Sequence, residues 1–529
     1  MNSEAEASAE RARAIKWRDE LRRYHELFAG AFDELHEAVK ARVKQPGQYV
    51  GAHHDYPLMS SMGSGFPAFR EAGFYDDKTP RHYVATIRPH GLLGIFGALP
   101  GTPAPNLPKG TELASFLRTH KIGKRLNLGA LSNRPVDELV ADAVERYIHL
   151  YGLDTPVNDR RRDALIWPLI SGTVFKSLNL RLVVPIALTH FDVDHFRLTD
   201  TTYITRLPKK LQLARARMST LGSGAVRMVV GAATHAFVST GWNLEADTID
   251  DVSASLKQSS SNVIDAIDSF FGALRIVAGI KTGYAQFLWL PKDWALEYFC
   301  DLTPVYGTTL RRYPAEYDNY GWTEASVFVT KDQLAGLRAV YKHIADNQSE
   351  AVRLAISRLN GCLTRSDEGD SILDGTIGLE LLLGDKDNQS LSYKLRLRAA
   401  ALAALQGDPA FQARDVFMEV KRLYEARSAI VHGLRKKQSK KAIEPEDARN
   451  SKERMLASEL LGFVLKVLLA HPQYQEPARI DEGLLLGGDS AVQGLSPNDD
   501  VRPISEDATR DLASSLHRLP GALPHRSQE

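Results

Sequence analysis

One predicted helix ends with an arginine, a hydroxyl and an imidazole within six residues. Arg427 and Ser428 are adjacent, and His432 follows one turn after Ser428, next to Gly433. Residues four apart on a helix are neighbours on its surface, and glycine commonly follows the end of a helix. An imidazole exchanges protons near neutral pH, and a guanidinium stays charged and matches phosphate oxygens. These residue types suit metal-independent cleavage of RNA, in which His432 moves a proton and Arg427 stabilises the phosphorane.

Arg427 lies in an apolar stripe of that helix. At about 100° per residue it falls in the middle of the stripe. The apolar members of the stripe are Val416, Val420, Leu423 and Ile430. Glu380 is the corresponding carboxylate, in a predicted helix that is apolar nearly all round. Its neighbours on the helical wheel are Leu373, Ile377 and Leu381. Because an unpaired buried charge is costly, we expect Glu380 to pair with Arg427, within one chain or across a dimer.

Each of these residues also has a purely structural interpretation. Arg427 and Glu380 would then be members of an ion pair without chemical function, and His432 would cap a helix end. A basic segment follows the helix and has five cations in seven residues. These are Arg435, Lys436, Lys437, Lys440 and Lys441. The segment is either an RNA-binding element that holds the phosphate backbone or a solvated loop.

The sequence around these residues resembles a known family of helical domains. LYEARSAIVHG, residues 423–433, is similar to the signature of HEPN domains, and Ser428 stands where that family places a small polar residue. The preceding stretches AISRLNGCL, DSILDGTIGLELLLG and LSYKLRLRAAALAAL resemble the Apea-like HEPN subgroup, in the same order. The resemblance spans residues 331–475.

This resemblance implies a four-helix core that dimerises, so that two copies of Arg427 and His432 share one ribonuclease cleft. It also implies a metal-independent endoribonuclease without a cofactor, with tRNA as one candidate substrate. Members of the family often act in toxin–antitoxin, CRISPR-linked or abortive-infection antiviral systems. A non-catalytic HEPN scaffold that binds RNA or a partner protein is the alternative.

The remaining sequence predicts a multi-domain chain, an N-terminal α+β domain followed by the all-α HEPN domain. Residues 1–47 are expected to form a charged helix. Residues 48–330 are expected to form an α+β domain that senses a phage or cellular trigger or restrains the nuclease. In that domain, alternating apolar and polar residues at 180–206 predict two or three strands, and residues 136–151 predict a helix. Residues 476–529 form a polar tail with a short helix from Ser505, whose hydroxyl suits a cap.

Six helices are expected in the HEPN domain. Their ranges are 332–345, 349–363, 372–384, 389–406, 409–432 and 446–470. The third is expected to begin with a capping box of Ser371 and Asp374, and the fifth with Asp408 as N-cap and Pro409 at the first helical position.

Composition narrows the class of protein. A net charge of +1 provides no global attraction to nucleic acid, so any contact needs a local patch. Two cysteines far apart, Cys300 and Cys362, argue against a disulfide scaffold and a Cys-based zinc site. The N-terminus is charged and no stretch is apolar enough for a membrane span, so we expect a cytoplasmic protein.

One further pattern is compatible with a metal. In HFDVDHF, residues 190–196, the side chains of His190, Asp192 and Asp194 would share one strand face. A metal-dependent hydrolase centred on Asp192 is therefore a third hypothesis. The polar face of a half-buried strand explains the pattern equally well, and we expect no metal.

Overall fold

The computed structural model describes residues 2–71, 79–87, 95–96, 107–126, 128, 134–218, 224–319, 327–347, 349–385, 389–432 and 446–488. The chain is mixed helix and sheet and 60% helical. Among the helices in these ranges, none combines the length and the apolar character needed to cross a bilayer.

The N-terminal part is a helical layer with its own core. Its helices are α1 (Asn2–Val43), α2 (Pro108–Thr119), α3 (Arg134–Tyr151) and α4 (Asp159–Val174), and a hairpin of β1 (Pro57–Ser61) and β2 (Pro67–Glu71) follows α1. Phe28 and Phe32 of α1 and Tyr147 of α3 are fully buried in this core. The helix predicted at 136–151 is confirmed, whereas α2 and α4 were not predicted. Pro168 lies inside α4, where a proline ordinarily argues against a helix.

An antiparallel sheet of six strands lies in the middle of the chain. Its strands are β3 (Ser177–Pro185), β5 (His195–Arg197), β6 (Thr202–Arg206), β7 (His235–Glu245), β8 (Tyr284–Pro291) and β9 (Tyr306–Arg312), in the order β5-β6-β7-β3-β8-β9. A separate parallel pair joins β4 (Thr189–Phe191) to β10 (Val327–Val329). The longer connections between strands contain helices. α5 (Lys209–Met218) and α6 (Gly224–Gly231) lie between β6 and β7, and α7 (Ile249–Lys257) and α8 (Ser261–Ala278) lie between β7 and β8. The strands expected within 180–206 are present.

The C-terminal region is helical, and all six helices predicted there are found. They are α9 (Lys331–Asp346), α10 (Glu350–Thr364), α11 (Glu368–Leu383), α12 (Leu391–Gln406), α13 (Ala413–Val431) and α14 (Glu446–Ala470). Short helical turns over Pro477–Arg479 and Ile480–Leu485 follow, and Ile480 is fully buried, so the polar tail does not begin at 476 as expected. The short helix expected from Ser505 lies outside the described residues.

The two expected helix caps are wrong. Helix α11 begins one turn earlier than predicted, with Asp367 as N-cap accepting the Asp370 amide at 2.7 Å, and Asp374 instead accepts from Arg358 at 2.7 Å. Asp408 caps only a turn, in which its carboxylate accepts the Ala410 amide at 2.9 Å. Helix α13 therefore starts at Ala413. In the first case a nearby acid, Asp367, caps the helix instead; in the second, Asp408 stabilises a turn that precedes the helix.

The sheet and the C-terminal helices share one continuous core. Phe237 of β7 stacks on Phe270 of α8 with ring centroids 4.4 Å apart and meets Tyr341 of α9 edge-on at 6.1 Å. Gly272 of α8 lets α10 approach closely, because a Cβ there would lie 2.5 Å from a methyl carbon of Ile356. The helical region is thus packed against the sheet by an extensive apolar contact.

The expected grouping of His190, Asp192 and Asp194 is not formed. Strand β4 ends at Phe191, so the three residues do not lie on one strand. The His190 ring stacks on Phe66 at 4.0 Å and donates to a backbone carbonyl, and Asp194 pairs with Arg206. Within the described ranges these three side chains do not make a group with metal-ligand spacing.

We expect His235, at the start of β7, to make folding stability depend on pH. Its side chain is 1% exposed, and burial lowers its pKa from 6.5 to about 4. Between these values the unfolded chain binds a proton that the folded chain excludes, so stability is lost as pH falls from 6.5 to 4. The full loss is on the order of 3 kcal/mol.

The His235→Gln variant removes the titrating ring and keeps a donor for the Val193 carbonyl, which His235 contacts at 2.9 Å. Urea midpoints of both proteins, measured from pH 7.5 to 4.5, should fall more steeply for the wild type. Parallel pH curves would contradict the prediction.

Candidate active site

Helix α13 leaves the core before it ends. Val416, Val420 and Leu423 are almost completely buried, as the apolar stripe predicted. Ile430 belongs to the same stripe but is 37% exposed, and the adjacent Val431 is 52% exposed. The last two turns of α13 therefore lie at the surface, with apolar side chains among those that face solvent.

Arg427 lies on this half-exposed part and meets Glu380 of α11, as the sequence predicted. Its Nη2 is 3.8 Å from the Glu380 Oε1, and the two side chains are 28% and 20% exposed. The distance is that of an ion pair and is too long for a hydrogen bond. The Tyr424 ring lies below the guanidinium, with its centroid 5.7 Å from Cζ.

Two atoms of this pair are desolvated without a hydrogen bond. The Arg427 Nε and the Glu380 Oε1 are both buried and have no hydrogen-bond partner among the described residues. A buried donor or acceptor without a partner costs about 1–3 kcal/mol, and more in charged groups. The pair thus retains unused capacity to bind an anion or a further donor.

The surface around the pair is apolar. On α11, Leu373, Ile377 and Leu381 are all partly exposed and lie on the same face as Glu380. Ile430 lies beside the start of α11, because a Cβ at Gly369 would be 3.8 Å from its Cγ2. We call these four apolar residues and Val431 the α11–α13 patch. The expectation that this face of α11 is buried is wrong for the monomer.

Ser428 and His432 lie at the end of α13. The His432 amide donates to the Ser428 carbonyl at 3.1 Å, and the His432 side chain is exposed. Within the described ranges, the imidazole makes no hydrogen bond or ion pair with Ser428, Arg427 or Glu380. Five helical positions separate His432 from Arg427, which directs the two side chains about 140° apart. One chain therefore brings Arg427 and Glu380 together but leaves His432 apart from them.

The proposed RNA-binding residues cannot be placed. Arg435, Lys436, Lys437, Lys440 and Lys441 all lie outside the described residues.

A second group of chemically capable side chains was not recognised in the sequence. His53, Glu145, His149 and Cys300 meet outside the C-terminal helical region. The spacing of Glu145 and His149, one turn apart on a helix that was predicted, was an available signal. His53 and Cys300 carry no local signal that links them to it.

Searches against protein-family models, curated proteins and solved structures found no match to this chain. The HEPN resemblance therefore depends on the residues of the helical region itself.

Proposed function

We propose that this chain is a metal-independent endoribonuclease of the HEPN type. The observation that carries the proposal is the Arg427–Glu380 pair, which holds a buried guanidinium Nε without a hydrogen bond on a half-exposed face. A cation held in this way favours an anionic ligand, and the scissile phosphate of RNA is a ligand that an imidazole brought beside Arg427 could process.

The chemistry would be transesterification at the ribose 2′-OH. His432 would remove the 2′-OH proton, or donate a proton to the departing 5′-oxygen. Arg427 would stabilise the charge that builds on the phosphorane oxygens, and Glu380 would orient Arg427. Ser428 lies one turn from His432 and could hydrogen-bond the same phosphate. The products are a 2′,3′-cyclic phosphate and a 5′-OH, and DNA, which lacks the 2′-OH, is not cleaved.

A homodimer would complete the site. The α11–α13 patch offers an apolar surface next to the Arg427–Glu380 pair, and a second copy related by a twofold axis would cover it. The imidazole of each copy would then approach the arginine of the other. This arrangement resolves the separation of Arg427 and His432 within one chain.

The biological setting follows from the same resemblance. We place the enzyme in prokaryotic antiviral defence, as a toxin-like abortive-infection effector that acts on RNA such as tRNA in the cytoplasm. Residues 48–330 would sense a phage or cellular trigger or restrain the nuclease. Two buried free thiols, Cys300 and Cys362, are compatible with a reducing compartment.

RNA cleavage in the presence of EDTA tests the proposal. The full chain is incubated with total RNA or a tRNA, and product ends are mapped chemically. The Arg427→Ala/His432→Ala double variant, purified in parallel, reports any contaminating nuclease. We expect cyclic-phosphate ends from the wild type only, and no cleavage where a 2′-deoxynucleotide replaces the scissile ribose.

The alternative is a HEPN scaffold that binds RNA or a partner without cleaving it. The exposed α11–α13 patch is the observation that favours it. RNA that is retained by both proteins in a mobility-shift assay, but cleaved by neither, would favour the scaffold and contradict the enzyme.

Placing a charge in the α11–α13 patch should separate the dimer. Val431→Asp puts a carboxylate at a site that is 52% exposed in the monomer, so the fold is unaffected, but the charge would be desolvated in the dimer. We expect at least a roughly tenfold weaker dimer, equivalent to about 1.4 kcal/mol, measured by sedimentation. RNA cleavage should be lost with the dimer.

Met418→Asp is the matched control. Met418 is 53% exposed on the same helix, thirteen residues earlier, and points to the opposite side. It should leave both dimerisation and cleavage unchanged. Equal effects of the two variants would show that the patch is not the interface.

A further inference from the structure

Three side chains of the kinds that bind transition metals meet beside a large cavity, in segments of the chain other than α11 and α13 of the proposed nuclease site. His53 lies in the segment after α1, His149 lies on the last turns of α3, and Cys300 lies in the segment after β8. One potential ligand atom from each lies within 4.8 Å of the other two. Within the described ranges, this is the single group of His, Cys, Asp and Glu side chains with such spacing.

Glu145 holds both imidazoles in place. Its Oε1 lies 3.2 Å from Nε2 of His53 and 3.1 Å from Nε2 of His149. The carboxylate is itself fixed by the backbone amides of Tyr83, at 2.9 Å to Oε1, and Val84, at 2.7 Å to Oε2. Because Glu145 engages Nε2 of each ring, Nδ1 is the atom left to bind a metal. Histidines that bind metals are commonly oriented by a carboxylate on the other ring nitrogen.

The protein also fixes the cysteine. Cys300 is 1% exposed and has a φ of +46°, in the left-handed region that a non-glycine residue adopts at some cost. Its carbonyl accepts from the buried Arg146 at 3.3 Å, and Arg146 also donates to the Leu302 carbonyl. The loop is therefore held in a strained conformation that directs Cys300 to its present position.

The histidine rings are enclosed by other rings. His53 lies 4.3 Å from His82 and 5.1 Å from Phe299, between ring centroids. The side chains of His53 and His149 are 10% and 9% exposed. The two imidazoles are therefore largely shielded from water that would compete with them for an ion.

We propose that His53, His149 and Cys300 bind one divalent transition-metal ion of the zinc class. Two imidazoles and a thiolate form a ligand set of intermediate softness, which zinc accepts in tetrahedral geometry. Tetrahedral zinc places such ligand atoms roughly 3.3–3.6 Å apart, as follows from Zn–N and Zn–S bonds of about 2.0 and 2.3 Å. Small side-chain rotations that move the ligand atoms by about an ångström would bring them to these distances. The Cys300 thiol releases its proton to solvent on binding.

Three protein ligands leave a position for water or a substrate. His53, Cys300 and Glu145 line a cavity of about 1070 Å³, to which that position would open. Glu145 is a positioning residue in this proposal, because its oxygens are already engaged with two amides and two rings. The site is independent of RNA cleavage at Arg427, which needs no metal.

Metal content and a cobalt spectrum test the proposal. Full-length protein without a histidine tag is purified and its zinc is measured by mass spectrometry. Co²⁺ is then added to metal-stripped protein, because a cobalt–thiolate bond gives a near-ultraviolet charge-transfer band. We expect about one metal per chain in the wild type, a thiolate band with Co²⁺, and a higher unfolding temperature with Zn²⁺.

Cys300→Ser should abolish the cobalt–thiolate band, and Cys362→Ser is the matched control because Cys362 is the other buried free thiol. Should Cys300→Ser fail to fold, His149→Gln provides a second loss of one ligand and should weaken Co²⁺ binding at least tenfold. A wild type that binds neither Zn²⁺ nor Co²⁺ at equimolar concentration overturns the proposal. A band that survives in Cys300→Ser but disappears in Cys362→Ser overturns it as well.

Discussion

Replacing Arg427 with alanine is expected to lower kcat/KM for RNA cleavage by roughly 100- to 1000-fold, the range found when one preorganised donor to a transition-state anion is removed. The reason is local. Arg427 lies between Glu380 and the Tyr424 ring, which limit its movement, so its charge needs little reorganisation when the phosphorane forms. Arg427→Lys should recover little of the activity, because an ammonium lacks the planar fork that contacts two phosphate oxygens.

Arg422→Ala is the control for this prediction. Arg422 lies on the same helix and has a similar loose ion pair, 3.8 Å from Glu453, but is 51% exposed. Both variants remove one guanidinium and one acidic contact from α13. An equal fall in cleavage for the two variants would mean that general charge or helix stability matters and that Arg427 has no special role.

Unfolding curves separate chemistry from stability. Arg427→Ala leaves Glu380 partly buried without its cation, but a carboxylate that is 20% exposed still reaches water. We therefore expect a stability loss of only about 1 kcal/mol. A large fall in cleavage with a small fall in stability is the signature of a residue that contacts the reacting phosphate.

The helical region was predictable because its signal is local. Amphipathic periodicity marks α9, α10 and α13, whereas α11 is apolar nearly all round. A charged residue among apolar ones marked both Arg427 and Glu380. The pattern could not show how deeply each apolar face is buried. It placed Ile430 and Ile377 on buried faces, whereas both are at least partly exposed, because a stripe has the same period whether it meets a core or a partner chain.

The N-terminal half was harder to predict for a physical reason. Helix α4 contains a proline, and α2 follows a stretch rich in glycine and proline, so local propensity opposed helices that tertiary packing stabilises. The group of His53, His149 and Cys300 is assembled from three separate parts of the chain. The periodic pattern of one segment does not predict contacts between residues so distant in sequence, so the group became visible only in the folded structure.

In the proposed enzyme, the geometry of α13 would link dimerisation to catalysis. The side chains of Arg427 and His432 leave the helix about 140° apart, so one copy cannot easily place both on a single phosphodiester. The exposed Ile430 and Val431 lie between them in sequence. A second copy docked on these residues would cover apolar surface and supply the missing group in one step. Loss of the dimer and loss of cleavage should therefore occur over the same range of protein concentration.

Replacing His432 with alanine is expected to reduce cleavage by roughly 100- to 10,000-fold, the usual contribution of a general acid or base. Because the imidazole is exposed at the end of α13, its removal should leave a space that a small molecule can enter. Added imidazole should then restore part of the activity in proportion to its concentration. Rescue of this kind requires a proton-transfer role, since a helix cap is not replaced by a free ring.

His471→Ala is the matched control for the histidine, because His471 also follows the last residue of a helix, α14, and its amide donates to the Val467 carbonyl at 2.9 Å. It should cleave RNA at the wild-type rate, with or without imidazole. If His432→Ala instead retained full activity, the proton would have to be moved by another group, and the chemistry assigned to the end of α13 would be wrong. If activity were lost without imidazole rescue while the dimer remained intact, His432 would act by holding the helix end, and Arg427 alone would define the site.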